Sequence, residues 1–237
     1  MTDDAMFGLP KDSWVDTGRS VLRAGGDAAT KALETLVMRT GASAVTIAEK
    51  ASGNADEDSR RQIRAHTLLA RSQGFAVASS LTAAEVGTVI GTAGTMTPAA
   101  VVVGLMAALT GLAWIQVRMV LVIAALHGFD PRHPDRLKEI GALMGFAATA
   151  RGVAAPVKKG VPKALKRLTL RHLQGDNLKA VKAMFDLVGI KFYRNAFVKQ
   201  LPFVSIPISV MTNGAATKAL GKRALVYYND LALKAPR

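Results

Sequence analysis

Histidine is the residue type in this chain that most readily takes part in chemistry, and the chain has four. His127 and His133 lie on either side of Asp130 in the stretch LHGFDPRHPD. Imidazole and carboxylate side chains are typical metal ligands. Their spacing here matches no standard metal motif, however, and a helix end followed by a turn explains the stretch. We therefore predict no metal site.

Motifs for nucleophilic catalysis and phosphate binding are missing from the sequence. It contains no HExxH, no G-x-S-x-G elbow, no Walker A loop and no G-x-G-x-x-G after a strand. The absence of cysteine also excludes thiolate chemistry and disulfide bonds. We predict a protein that is not an enzyme and needs no cofactor. An enzyme would require scattered polar side chains to converge in one cleft, and the candidates are Gln116, Arg118, His127 and Asn213.

The elements that would position these side chains are predicted to be helices. Half of the residues are hydrophobic but only 5% are aromatic, and this mixture suits close-packed helices better than sheets. The sequence shows no convincing strand alternation and no internal repeat. We predict an all-α fold, a helical bundle with a long apolar hairpin rich in glycine and alanine.

Local signals place helix ends around this hairpin. Thr82 and Glu85 form a capping-box pattern, which predicts that a helix begins at Thr82. Pro98 suits the first turn of a second helix. Gly128 suits the position just after the end of that helix.

The apolar hairpin, residues 87–128, carries no charge before Arg118. Its length permits a membrane span, since about 20 apolar residues cross a bilayer. Three interpretations stay open: a two-pass membrane hairpin, a hairpin that packs internally or dips into one leaflet, and the buried core of a soluble protein. We favour the second, because glycines at helical spacing let helix backbones approach closely. These predicted packing residues are Gly87, Gly91, Gly104 and Gly111.

Arg118 needs an explanation, because an arginine at membrane depth is costly unless it is paired. It lies seven residues after Gly111 and so near the same helix face, pointing at a neighbouring helix. We predict that Glu85 pairs with it. Gln116 and Asn213 are predicted to be further polar residues buried at helix contacts.

Positive charge is concentrated in the last third of the chain. Residues 151–237 hold 17 Lys and Arg against three Asp, which accounts for the whole net charge of +14. Such an asymmetry indicates an anionic partner, and a basic helix from Pro162 would suit a membrane surface. The residues predicted to bind an anionic surface are Lys158, Lys159, Lys163, Lys166, Arg167 and Arg171. The alternatives are the solvated face of a core helix and, disfavoured because only charge supports it, nucleic-acid binding.

We predict two segments along the chain. Residues 1–60 comprise an N-terminal helical segment, which is broken at Gly25-Gly26, and a polar linker at 52–59. Residues 61–237 form a helical domain that is basic from about residue 151.

Two stretches of the sequence, and the order in which they occur, resemble the EcsC family. In the first, a glycine-rich segment leads into a long apolar helix, which ends in the turn from Ala124 through His127, Gly128 and Phe129 to Asp130. The second stretch is the C-terminal run, whose matching residues are Leu201-Pro202, Asn213, Thr217, Gly221, Ala224 and Tyr227-Tyr228. The resemblance covers about residues 68–229, although an acidic residue found in the long helix of some relatives is absent. It implies a bacterial protein of poorly defined activity, in a family named for a gene beside an ABC transporter, and it lends no catalytic residues.

These observations together predict a membrane-associated protein that is not an enzyme. The segments 82–128 and 201–217 would supply hydrophobic contact, and the basic third would supply electrostatic attachment. The start of the chain lacks a secretory signal, so we expect the protein at the cytoplasmic face of the cell membrane, peripheral or partly embedded. There it would bind lipid or a membrane-protein partner, as an accessory to transport or envelope processes. The alternative is a soluble helical protein that binds an apolar ligand or a protein partner, and the oligomeric state stays open.

Overall fold

The computed structural model describes residues 16–17, 19–21, 23–89, 98–145, 174–188 and 205–234. Within these ranges the regular structure is helical, which confirms the all-α prediction. A short 3₁₀ turn, Gly25–Asp27, precedes the first long helix. The α-helices with bounds in these ranges are α1 Ala28–Glu49, α2 Ala55–Val89, α3 Pro98–Leu126, α4 Asp135–Gly145, α5 Gly175–Leu187 and α6 Ser205–Lys234.

Helix α3 is the centre of the bundle and contacts α1, α2, α5 and α6. Its β-branched residues lower its intrinsic helix propensity slightly, but it is apolar on all sides, which is typical of a buried helix. From Val117 to Ala124 the only side chain with substantial exposure belongs to Arg118. Each fully buried aliphatic side chain in this stretch contributes about 1.5–3 kcal/mol relative to exposure. Tertiary packing therefore stabilises α3 far more than local propensity does.

The predicted ends of α3 are confirmed. The helix begins at Pro98, whose missing N–H costs nothing in a first turn. At the other end Gly128 adopts a left-handed φ of 83°. The N–H of Phe129 donates to the carbonyl of Ala124 at 3.0 Å, and the N–H of Gly128 donates to the carbonyl of Ala125 at 3.0 Å. These two hydrogen bonds form a Schellman motif, which glycine favours because it has no Cβ.

The prediction that a helix begins at Thr82 is wrong, because α2 runs without interruption from Ala55 to Val89. Its start is set instead by Asn54, whose Oδ1 accepts a hydrogen bond from the N–H of Glu57 at 3.1 Å. A Thr-x-x-Glu pattern caps a helix only where the preceding chain leaves the helix, and nothing before Thr82 breaks it. The linker is also shorter than predicted, since residues 55–59 are already helical.

The N-terminal segment belongs to the same core as α3. The predicted break at Gly25-Gly26 is confirmed by the 3₁₀ turn and by a φ of 58° at Gly25. Helix α1 then packs along α3 and also touches α4 and α5. The side chains of this segment that join the core are Val21, Ala28, Ala32, Leu33, Leu36 and Ala44.

Helices α2 and α6 form the most extensive contact in the described structure and run antiparallel. One end is joined by the Asn229 amide, which donates to Oδ1 of Asp56 at 2.8 Å. At the middle, Gly221 lies against Ile63, and further along Gly214 lies against Arg71. From the first of these contacts to the last, α2 advances by 15 residues, from Asp56 to Arg71, while α6 goes back by 15, from Asn229 to Gly214. The register between the two helices is therefore constant over about 22 Å.

Candidate functional site

Gln116 lies in the interior of the bundle, where α3 meets the end of α5 and the middle of α6. Its side chain is 1% exposed. The Nε2 group lies 3.3 Å from the carbonyl oxygen of Val188, to which it donates, and 3.4 Å from Oγ1 of Thr217. The Oε1 atom has no hydrogen-bond partner among the described residues. Because an unsatisfied buried acceptor costs about 1–3 kcal/mol, this amide joins three helices at some expense of stability.

Arg118 occupies a different side of α3, two positions and therefore about 200° around the helix from Gln116. Its guanidinium lies over the indole ring of Trp114, 5.1 Å from the ring centroid. Burial lowers the pKa of Arg118. The predicted partner, Glu85, has a side chain outside the described residues, so that pairing stays a prediction.

His66, on α2, is the buried histidine that faces this part of α3. It is 6% exposed, and its Nδ1–H donates to the carbonyl of Gln62 at 2.9 Å, which fixes the tautomer because a carbonyl only accepts. Burial lowers the pKa of His66 to about 4, the Gln62 hydrogen bond opposes that shift, and the charge of Arg118 adds to it. His66 is therefore neutral at physiological pH.

Of the four glycines predicted to lie at helix contacts, Gly111 is the one at which the structure describes a close contact. A Cβ on Gly111 would collide with the amide of Gln73, whose Nε2 donates to the carbonyl of Ala108 at 3.3 Å. Gly87 and Gly104 lie within α2 and α3, and Gly91 lies outside the described residues. Close approach through glycine is also seen at two positions not predicted for this role, Gly214 and Gly221.

The cleft that an enzyme would need is not formed by the four polar residues considered above. Gln116 and His127 are eleven residues apart along α3 and its C-terminal cap, which is about 16 Å. Arg118 projects from a different side of that helix than Gln116. Asn213 is half-buried on α6, four residues before Thr217, and so lies on the Gln116 side.

One end of the bundle carries a second group of polar contacts, which begins at His127. Its Nε2 lies 3.4 Å from Oγ of the buried Ser59 on α2. Burial lowers the pKa of His127, and the nearby carboxylate of Asp56 opposes that shift. Asp56 in turn accepts the hydrogen bond from Asn229. These contacts fasten the start of α2 to the ends of α3 and α6.

A buried ion pair continues this group towards α4. Arg136 and Glu139 pair within α4 although both side chains are largely buried. The hydroxyl of Tyr228 donates to Oε2 of Glu139 at 3.0 Å. Arg136 also lies over the rings of Phe129 and Tyr228, 5.5 and 5.6 Å from their centroids. Burial raises the pKa of Tyr228, and the charge of Glu139 raises it further.

The buried ion pair brings together the two stretches that carry the EcsC resemblance. Phe129 belongs to the turn after α3 and Tyr228 to the paired aromatics of α6, and their ring centroids are 5.6 Å apart. Sequence reasoning did not single out Arg136 or Glu139. Their spacing of three residues was the one available signal, but it does not reveal the tyrosine 89 residues away. Chemically, the group is a compensated charge pair, with no exposed nucleophile.

Metal ligation has no candidate in the described part of the chain, where no three His, Asp or Glu side chains form a group that could hold an ion. His133 and Asp130 make local contacts instead. His133 Nδ1 lies 3.4 Å from the carboxylate of Asp135, and Asp130 accepts from the N–H of Arg132 at 2.9 Å. The predicted basic residues 158–171 lie outside the described residues.

One helical stretch in the described structure, Leu105–Leu126, is long and apolar enough to cross a membrane, judged by length and composition. Within its most apolar window, 83% of the residues are buried inside the bundle. The core helix of a soluble protein has the same properties, so this stretch alone does not place the protein in a membrane.

Comparison with known proteins adds no relative. No family model matches this chain, and no curated protein or solved structure is significantly similar to it. The resemblance to the EcsC family therefore stays a prediction.

Proposed function

We propose that this protein is a helical module, not an enzyme, that attaches peripherally to the anionic inner face of the cell membrane. In this proposal it binds lipid head groups and serves as an accessory to membrane transport or envelope processes. A membrane protein held at the same surface would be a compatible partner.

The proposal is carried by one observation: the described helix that is apolar enough to cross a membrane, α3, is already enclosed by its own bundle, while the chain has a net charge of +14. An enclosed helix offers no apolar face to lipid unless the bundle opens, and opening would expose its core. Attachment through the outer surface needs no such rearrangement. Each Lys or Arg close to an anionic membrane contributes about 1 kcal/mol, so several together are enough for reversible binding.

Liposome flotation tests the proposal. The purified protein is mixed with phosphatidylcholine vesicles, with or without phosphatidylglycerol, at low and at high salt. We expect flotation with the anionic vesicles at low salt and release at high salt, because salt screens surface charge. A protein that floats with neither vesicle at low salt would contradict the proposal.

Washing of native membranes separates peripheral attachment from integration. Salt or carbonate is expected to release the protein from the membrane fraction, since no apolar helix would be inserted. Retention after carbonate would contradict the peripheral arrangement and would favour a two-pass hairpin.

A further inference from the structure

The outer surface along the contact between α2 and α6 is basic. Five cations follow this line, and we call the surface they form the α2–α6 seam. All five are exposed: Arg60, Arg64, Arg71, Lys218 and Lys222.

Helical geometry puts these cations at the same edge of each helix. Arg60, Arg64 and Arg71 are spaced by four and seven residues, and so fall within about 40° of arc. Lys218 and Lys222 are four apart on α6, which also separates them by about 40°. The side chain of Arg71 crosses the backbone of α6 at Gly214, which shows that this edge of α2 faces α6.

The antiparallel register interleaves the two rows. Ile63 meets Gly221, and Arg71 meets Gly214, so Lys218 lies at a level between Arg64 and Arg71. Lys222 follows Gly221 and lies at a level between Arg60 and Arg64. The seam thus carries five positive charges over about 16 Å of helix axis.

No acid in these helix segments offsets the seam. The sequence has no Asp or Glu from 59 to 84 or from 205 to 229. Among the described side chains, the ion pair recorded in the seam joins Arg60 to Asp56 at 3.9 Å, at one end. Lys218, Lys222 and Arg64 form no ion pair with any described acid.

Two exposed aliphatic side chains continue the seam. Leu68 is 63% exposed and follows Arg64 by one helical turn. Val226 is 61% exposed and follows Lys222 by one helical turn. The large exposed hydrophobic side chains in the described structure include no aromatic ring, on which bases of a single-stranded nucleic acid would stack. Cations beside aliphatic side chains suit a lipid surface, where charge meets phosphate and the aliphatic groups reach the layer below.

We infer that the α2–α6 seam is the surface through which this protein docks on anionic lipid. The inference rests on the proposed function and adds the site of contact to it. It places the contact on α2 as well as α6, whereas the charge count pointed only to residues 151–237, which include α6 and not α2.

A triple variant tests the seam: Arg64→Gln, Lys218→Gln and Lys222→Gln together. Arg71 is left in place because it packs on Gly214. We expect a loss of about fivefold in the partition coefficient for each cation removed, so roughly a hundredfold in all, on phosphatidylglycerol-containing vesicles at low salt. Circular dichroism and urea unfolding of the variant establish that the fold is retained.

The matched control removes three exposed cations from other helices: Lys31→Gln, Arg39→Gln and Lys138→Gln. It has the same net charge as the seam variant, and we expect its binding to fall by less than about threefold, since distant surface charges are screened. Equal losses in the two variants would overturn the seam while leaving the proposed function standing. Absence of vesicle binding by the unmodified protein would overturn both, and seam-dependent binding to a nucleic acid alone would replace lipid as the occupant.

Fluorescence labelling at a single introduced cysteine tests contact between the seam and the membrane without removing any charge. Because the chain has no cysteine, Leu68→Cys and Met38→Cys each create a single labelling site. Met38, on α1, is 85% exposed and serves as the control. We expect the emission of an environment-sensitive fluorophore attached at position 68 to shift to the blue when anionic vesicles are added. The same fluorophore attached at position 38 is expected to show no shift. A shift at position 38 alone would overturn the seam.

Discussion

The phenolic hydroxyl of Tyr228 donates to the carboxylate of Glu139 at 3.0 Å, and this contact joins α6 to α4. Tyr228 is fully buried, and the same carboxylate is paired with Arg136. A largely buried carboxylate is tolerated only where a cation and hydrogen bonds compensate for its lost hydration. The three side chains therefore act as a unit that holds the short helix α4 on the bundle.

Replacing Tyr228 with phenylalanine removes the donor and keeps the ring. We expect Tyr228→Phe to lower the free energy of unfolding by about 1–3 kcal/mol, because Glu139 would lose a hydrogen bond inside the protein. Urea denaturation measures the change. The control is Val226→Ala, at an exposed site on the same helix, where a change within about 0.5 kcal/mol is expected. A Tyr228→Phe variant as stable as the unmodified protein would show that Glu139 does not depend on this hydroxyl.

Substitution of Gly221 tests how closely α6 approaches α2 and α3. A Cβ there would lie 2.7 Å from Cγ1 of Ile63 and 3.0 Å from Sδ of Met119. We expect Gly221→Ala to destabilise the protein by about 1–3 kcal/mol through overpacking, although alanine favours helix. Thermal or urea unfolding gives the measurement.

Gly141, in the interior of α4, is the matched control for that substitution. Its added Cβ would meet Leu33 at 3.5 Å, which is an ordinary contact distance. Gly141→Ala is therefore expected to stabilise the protein by up to about 1 kcal/mol through helix propensity. If Gly221→Ala stabilised the protein as Gly141→Ala is expected to, the helices would not approach as closely at Gly221 as the structure indicates.

Features governed by neighbouring residues were predictable from the sequence. Pro98 and Gly128 marked the ends of α3 because the first lacks an N–H and the second tolerates positive φ. The break at Gly25-Gly26 followed from the same backbone chemistry. The helix start predicted at Thr82 was wrong. A capping pattern stabilises a helix end that already exists, but it does not create one inside a continuous helix.

Contacts between distant residues were not predictable in the same way. Gln116 was expected to be buried and polar, but its neighbour Thr217 is 101 residues away. No local pattern encodes that distance, which depends on the register between α3 and α6. The seam was missed for the same reason. Its arginines lie in the charge-balanced first 150 residues, and they form a basic surface only because α6 packs beside them.

The free energy of unfolding is expected to decrease as the pH is lowered from about 7 to about 4, because of His66. The pKa of a histidine in the unfolded chain is near its ordinary value of 6.5, whereas burial lowers the pKa of the folded His66 to about 4. Over this window the unfolded state binds more protons, so stability rises with pH and falls as the solution is acidified. The difference corresponds to roughly 3 kcal/mol for a group as buried as this one. His127, whose pKa is also lowered by burial, contributes in the same direction.

His66→Gln isolates this contribution, because glutamine keeps an amide that can donate to the Gln62 carbonyl but does not titrate. The free energy of unfolding, measured by urea at a series of pH values, should decline less steeply in the variant. We expect the decline from pH 7 to pH 4 to shrink by about 3 kcal/mol. Parallel curves for His66→Gln and the unmodified protein would mean that His66 takes up its proton in the folded state as easily as in the unfolded one, and that its place against α3 is open to water.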